Sequence, residues 1–241
     1  MERTAVRRRL SWQLARVVEG VTETARTKSI ALDAADWPGH LAGQHVDVRL
    51  TAEDGYQAQR SYSIASAPED EHLVITVQRL DDGEVSPYLT ETLVPGDDLE
   101  LRGPIGGYFV WREALGGPLL LVAGGAGVVP LRAILRHHRA VASEIPVRLL
   151  YSARTRADLI YRAELEGHDT IITLTDEQSP EWDGRTGRIG SAFLAETAWP
   201  AAERPLVYIC GPTGFVEAIA DALVTLGHDP SRIRTERFGP T

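Results

Sequence analysis

Four adjacent residues, Arg60, Ser61, Tyr62 and Ser63, put a guanidinium, an aromatic ring and two hydroxyls into one short stretch of chain. The surrounding pattern reads as a β-strand. Side chains along a strand alternate faces, so Arg60 and Tyr62 share one face and Ser61 and Ser63 the other. A planar five-donor guanidinium suits a pyrophosphate, Tyr62 offers an apolar face with a polar tip to a flat heterocycle, and the hydroxyls can donate or accept hydrogen bonds. These are the needs of a dinucleotide that carries a large ring. An ordinary edge strand with a surface arginine and a half-buried tyrosine would use the same residues, so the reading depends on what else the chain supplies.

Four further segments bear on it. In Gly83-Glu84-Val85-Ser86, Ser86 as N-cap and Pro87 as first helical residue predict a short helix through Tyr88 and Leu89. Unpaired N–H groups at a helix start attract anions, which places a candidate phosphate site over residues 83–86, close to Arg60. A plain capped helix is the alternative. Gly125-Ala126-Gly127-Val128-Val129-Pro130 reads G-x-G-x-x-P between an apolar run and a helical pattern, with glycines that let the backbone approach a pyrophosphate. Cys210-Gly211-Pro212-Thr213-Gly214 also lies between an apolar strand and a helix, although a free cysteine serves equally as a small buried hydrophobe. Near the end of the chain, Glu236 and Phe238 set an acid and a ring two residues apart.

These segments need two kinds of scaffold. Residues 12–104 show short strands and turns, with strands expected at 12–19, 26–33, 45–50, 59–65, 72–79 and 98–103. Six strands without a long helix predict a closed antiparallel Greek-key barrel. After residue 117 the pattern changes to buried apolar strands alternating with helices. Strands are expected at 118–123, 147–152, 170–175, 206–210 and 232–236, and helices from after Pro130 to about 140 and at 157–166, 191–196 and 213–226. That is a five-stranded parallel, doubly wound sheet, and ligands in such sheets sit beyond the carboxyl ends of the strands. The expected division is 1–112 and 113–241.

Composition bounds the function. A net charge of −9 argues against a nucleic-acid partner. The basic run at Arg3 and Arg7 to Arg9 reads as a solvated tail without the apolar stretch of a signal peptide. No apolar run approaches the length of a membrane span, so a cytoplasmic, non-inserted protein is expected. Cys210 is the only cysteine, which excludes an internal disulfide, a cysteine-rich zinc site and an iron-sulfur cluster with four protein thiolates; no metal site is expected.

Taken together, the segments resemble the ferredoxin-NADP reductase superfamily. Arg60-Ser61-Tyr62-Ser63 is similar to its R-x-Y-S flavin motif, Gly83 to Ser86 to its G-x-x-S segment, and Gly103-Pro104-Ile105-Gly106-Gly107-Tyr108-Phe109 to its G-P-x-G-x-F segment. The G-x-G-x-x-P run and Cys210-Gly211-Pro212 follow in the family's order, and Glu236 with Phe238 resembles its E-x-F ending. The resemblance implies FAD, with Arg60 and the 83–86 segment, Val85 included, on its pyrophosphate, Tyr62 on the isoalloxazine, Ser63 near N5, and Val77, Gln78 and Arg79 bordering the flavin. It implies a pyridine nucleotide at Gly125, Gly127, Pro130, Gly211, Pro212 and Thr213, with Cys210 at the nicotinamide. Ser63, Cys210 and Glu236 are then the candidate catalytic residues. The expected activity is hydride transfer from NAD(P)H to FAD and onward electron transfer to a separate acceptor, such as an acidic ferredoxin docking at the barrel's arginines. A free-flavin or quinone reductase and a non-catalytic redox-sensing subunit stay open as alternatives. NADPH is expected over NADH, because Ser152 and Arg154 end the second parallel strand where an acid would reject a 2′-phosphate, and Arg185 and Arg188 can add guanidinium groups. Asp158 is the rival ribose ligand.

Overall fold

Period-two alternation builds the first half of the molecule. The computed structural model describes residues 10–165, 170–177 and 179–239, so the basic run at Arg3 and Arg7 to Arg9 lies outside it. Strands β1 (Gln13–Thr24), β2 (Thr27–Asp33), β3 (His45–Thr51), β4 (Gln57–Ser63), β5 (Leu73–Gln78) and β6 (Asp98–Ile105) form one antiparallel sheet in the order β4-β3-β6-β1-β2-β5. An antiparallel bridge between Ile64 and Ile75 joins the two end strands and closes the barrel. Val46 and Val48 of β3 and Leu73, Ile75 and Val77 of β5 fill its interior. Val74 of β5 packs instead toward the second half of the chain.

β1 runs five residues past its expected end. Gly20, just past that expected end, lies inside it, where a Cβ would come 2.7 Å from the Lys28 stem. The room left by that missing Cβ lets the Lys28 ammonium reach the Leu93 carbonyl at 2.6 Å.

The second half is a parallel sheet of β7 (Leu119–Gly124), β8 (Val147–Ala153), β9 (Thr170–Leu174), β10 (Arg185–Thr186), β11 (Leu206–Pro212) and β12 (Ile233–Phe238), in the order β10-β9-β8-β7-β11-β12. All six residues of β7 are buried, as a strand covered on both faces requires. Helix α1 (Val128–Ala140) covers one face. The other face holds α3 (Ser191–Thr197) and α4 (Thr213–Thr225).

Two differences from the sequence expectation stand out. The sheet has a sixth strand, β10, which at two residues is too short to carry a period-two signal. The helix expected over 157–166 is broken: Thr155 and Asp158 form a capping box around a single turn, Tyr161 takes a left-handed φ of 58°, and only Arg162–Leu165 (α2) is α-helical. Glu166 lies outside the described residues.

The halves meet across a continuous core in which Ala42, Ala65, Phe109 and Trp111 pack with the α1 face of the parallel sheet. Polar contacts fix the seam. Arg132 of α1 donates to the Ala65 carbonyl at 3.1 Å, and Arg136 forks onto Asp70 at 2.9 and 2.6 Å. The buried Tyr161 hydroxyl donates to Thr76 of β5, whose hydroxyl is 2.8 Å from that of Ser29. Tyr161→Phe removes this bond and leaves Thr76 its Ser29 partner. The expected cost is about 1 kcal/mol, read as a lower urea midpoint at unchanged slope; a midpoint equal to the parent's would show that the seam does not draw on it.

Candidate cofactor site

A cavity of about 370 Å³ opens between the end of β4, the turn 80–86 and the start of α1. Its volume lies in the roughly 300–1,000 Å³ range of small-molecule sites. Arg60, Ser61, Tyr62 and Ser63 all line it, as do Gly83, Val85 and Ser86, with Ala126 and Val129 supplying apolar wall. Burial pushes the Tyr62 phenol up to about 12, so it remains a neutral phenol at the cavity wall.

The alternation of β5 corrects one expectation. Gln78 and Thr76 share a face and line the cavity, whereas Val77 points into the barrel core and Arg79 is drawn to Asp81 and Glu91. Ser86 also behaves differently from a cap. Its hydroxyl accepts the Leu80 N–H at 3.0 Å and closes the turn 80–86, while the following Tyr88–Thr92 form a single wide π turn without a side-chain cap. Gly83 belongs to the same closure, since a Cβ there would come 2.9 Å from the Ser86 hydroxyl.

Ser61 is held from behind. It faces Asp47 across the β3–β4 pair and donates to that carboxylate at 2.6 Å, while Arg102 donates to the other oxygen at 2.7 Å. Burial works against the Asp47 charge, but the Ser61 hydroxyl and Arg102 outweigh it and hold the carboxyl below its ordinary range.

A second cavity, of about 240 Å³, is lined by His45, Ser61, Ser63, Cys210, Glu236 and Phe238. It collects side chains from both halves, because Cys210 and Glu236 are register partners on β11 and β12 and Ser63 is the partner of His45. Burial pushes Glu236 up to about 7. Burial also raises the Cys210 thiol, with Glu236 adding to the effect and the Gly211 N–H opposing it. Cys210 is therefore a neutral, polarisable contact and not a thiolate nucleophile.

The glycine turn makes this arrangement possible. A Cβ on Gly127 would lie 2.0 Å from the Cys210 carbonyl oxygen, so only glycine lets the start of α1 pack against the end of β11. Gly125 has φ +54°, and Pro130 is buried in the first turn of α1. Gly211 and Pro212 end β11, and Thr213 begins α4.

Near the end of β8, Ser152 is buried, and just past the strand Arg154 is exposed and makes no ion pair among the described residues. The buried Nε of nearby Arg156 has no hydrogen-bond partner. Asp158 is occupied by the Thr155 hydroxyl at 2.8 Å and the Thr155 N–H at 3.1 Å. Arg185 forks onto Glu196, while Arg188 is exposed with no ion pair among the described residues. The sequence reading missed His45, Asp47 and Thr76. Counting outward from a five-residue loop, 52–56, centred on Asp54 pairs residue 51 with 57, 47 with 61 and 45 with 63, which is the signal that would have found the first two.

The residues present fit a flavin dinucleotide and a pyridine nucleotide: a guanidinium and a hydroxyl-closed turn for phosphate, a half-buried phenol and apolar wall for a ring, and glycines where a Cβ would block the approach. Comparison with known proteins agrees. The model of the oxidoreductase FAD-binding domain matches residues 16–110, and that of the oxidoreductase NAD-binding domain matches residues 121–221. Ferredoxin–NADP reductase B of Sorangium cellulosum is 34% identical, covering 88% of this chain and 91% of its own. The glycine betaine monooxygenase reductase subunit of Chromohalobacter salexigens is 33% identical over 83% of this chain but 56% of its own, so this chain spans little more than half of that relative. The FAD/NAD-binding domain of nitric oxide dioxygenase from Vibrio cholerae superposes with a TM-score of 0.83 at 30% identity, covering 95% of this chain and 99% of that one. With matching domain models, order of motifs and fold, this chain belongs to the ferredoxin–NADP reductase family of FAD- and NAD(P)-binding oxidoreductases.

Proposed function

We propose that this chain draws hydride from NADPH and hands the electrons to a separate protein acceptor, a ferredoxin or an oxygenase component, in the cytoplasm. In this reading residues 1–112 hold FAD and residues 113–241 hold the pyridine nucleotide. One observation carries it: the Ser61 and Ser63 hydroxyls of the barrel and the Cys210 thiol and Glu236 carboxyl of the parallel sheet line one cavity, which shares Ser61, Ser63 and Phe238 with the cavity of Arg60 and Tyr62. Relatives named as reductase subunits of a glycine betaine monooxygenase and of an aromatic O-demethylase support a separate acceptor.

Bound FAD supplies the exchange between two-electron hydride chemistry and one-electron transfer. The chain's own residues do the rest. Arg60 binds the diphosphate, Tyr62 packs on the ring, and Ser63 presents a hydroxyl at the junction, steadied on its strand by the Ser61–Asp47 bond. Cys210 contacts the nicotinamide without carrying charge, and Glu236 holds a proton on its carboxyl up to neutral pH.

Among the described residues, the arginines on the barrel strands and their hairpins, β1 to β6, do not offer an acidic ferredoxin an unpaired charged edge. Arg16, Arg26, Arg49, Arg60, Arg79 and Arg102 each pair with a carboxylate. Acceptor recognition therefore has to draw on something other than free guanidinium charge there. At the nucleotide end, Asp158 is spent on Thr155 and Arg185 on Glu196. The 2′-phosphate of NADPH then falls to Ser152, Arg154 and Arg188, with NADH the weaker cofactor.

Three outcomes are expected. The purified protein is yellow, and Arg60→Ala weakens flavin binding by about 1.5 to 3 kcal/mol, the scale of a charged hydrogen bond; a colourless protein to which neither FAD nor FMN binds would end the reading. Arg154→Ala lowers kcat/KM for NADPH by about tenfold to a hundredfold and leaves NADH nearly unchanged, so equal losses for both would remove Arg154 from the phosphate site. For Glu236, the folded carboxyl keeps its proton to about pH 7 against an ordinary value of 4.5, so its contribution to stability is fully present below pH 4.5 and is lost as pH rises through 7. Glu236→Gln should accordingly gain thermal stability over the parent between pH 5 and pH 8, and a difference in Tm that does not grow with pH would refute the burial of this acid.

A further inference from the structure

Arg60 is already occupied in this fold. Its Nη2 donates to Glu84 Oε2 at 2.9 Å and its Nη1 to the Gln59 carbonyl at 2.7 Å. The second oxygen of Glu84 accepts the Tyr56 hydroxyl at 2.7 Å. Glu84 stands in the turn with Gly83 and Ser86 and lines the 370 Å³ cavity. It also lines the neighbouring groove of about 810 Å³, together with Tyr56 and Tyr88. One carboxylate thus sits at the boundary of two cavities, on the guanidinium that a phosphate needs.

Carboxylate and phosphate make the same kind of charged hydrogen bond to a guanidinium. A phosphate that reaches Arg60 brings negative charge beside Glu84, and two anions competing for one fork repel each other. Glu84 must then give way. The swap needs no unfolding, since the Arg60 and Glu84 side chains are 54% and 48% exposed. Tyr56 is already bonded to the far oxygen, so the displaced carboxylate keeps a partner on the groove side.

Resting on the FAD reading above, we propose that Glu84 is a built-in anion that occupies Arg60 until a phosphate arrives, and that it sets how tightly phosphate-bearing flavins bind. Glu84 lowers affinity for FAD and FMN by competition and by repulsion, and it leaves a flavin without phosphate untouched. Flavin on this protein is therefore exchangeable to a degree fixed by one side chain at the boundary of the cavity.

The test is flavin binding by the stripped protein, followed by flavin fluorescence with FAD, FMN and riboflavin as probes. Glu84→Gln should tighten FAD and FMN by about fivefold to twentyfold, the effect of removing one competing charge. Riboflavin affinity should stay within about twofold, because it carries no phosphate. Glu84→Ala must move FAD in the same direction, which guards against an effect peculiar to the amide. An unchanged or weaker FAD affinity in Glu84→Gln overturns the proposal while leaving the flavin reading standing, as does equal tightening of riboflavin. If the parent binds no flavin at all, the flavin reading falls and the proposal falls with it.

Discussion

Hydride moves only between atoms held in contact, so the proposed transfer depends on how firmly the barrel is joined to the parallel sheet. The apolar part of that join is the shared core of Ala42, Ala65, Phe109 and Trp111 with the α1 face. The polar part is specific about position. Arg132 takes the Ala65 carbonyl, two residues beyond Ser63, and Arg234 donates to the Tyr108 and Val110 carbonyls while the Tyr208 hydroxyl also bonds Val110. Ser63 and Cys210, on different sheets, are thereby fixed on one cavity. Gly127 completes the constraint, since any side chain there would drive α1 from the end of β11.

The barrel uses its ion pairs in two ways, and burial separates them. Asp47 is 6% exposed and satisfied by both Ser61 and Arg102, so breaking that set would strand a desolvated charge. It is a fixed support for the strand that carries Ser61 and Ser63. The Arg60–Glu84 pair is half in water, where such pairs contribute about 0–1 kcal/mol and are easily exchanged. A rigid pair behind the strand and a labile pair in front of it let the same strand be both positioned and ligand-responsive.

How far the chain could be read in advance follows from the range of each signal. The barrel strands are legible because alternation is local: Leu73, Ile75 and Val77 announce an inner face on their own. The parallel strands are legible as buried runs such as β7. What fails is set by tertiary contact. β10 exists only because two residues reach β9. The turn at 155–161 replaces a helix because Asp158 finds Thr155 before a helix can use it. At the site, Arg60, Tyr62 and Ser63 could be singled out by type, but Val77 and Arg79 were grouped with Gln78 although alternation puts them on the other face. Glu84 was visible in the turn but its grip on Arg60 was not, because that bond spans 24 residues of sequence.

The second cavity shows why a half-buried acid and a buried thiol can lie side by side. Cys210 and Glu236 are register neighbours, and charge on either disfavours charge on the other, while burial disfavours both. The least costly state of the pair is therefore neutral, with a proton on each. Glu236, at about 7, is the member poised to change, and Cys210 is the one that does not. A flat ring seated in this cavity would strip further water from Glu236 and favour its protonated form more strongly. Occupancy of this cavity by such a ring and proton uptake on Glu236 would thus be linked, and the link follows from placing the acid one strand away from the thiol instead of in the open mouth of the site.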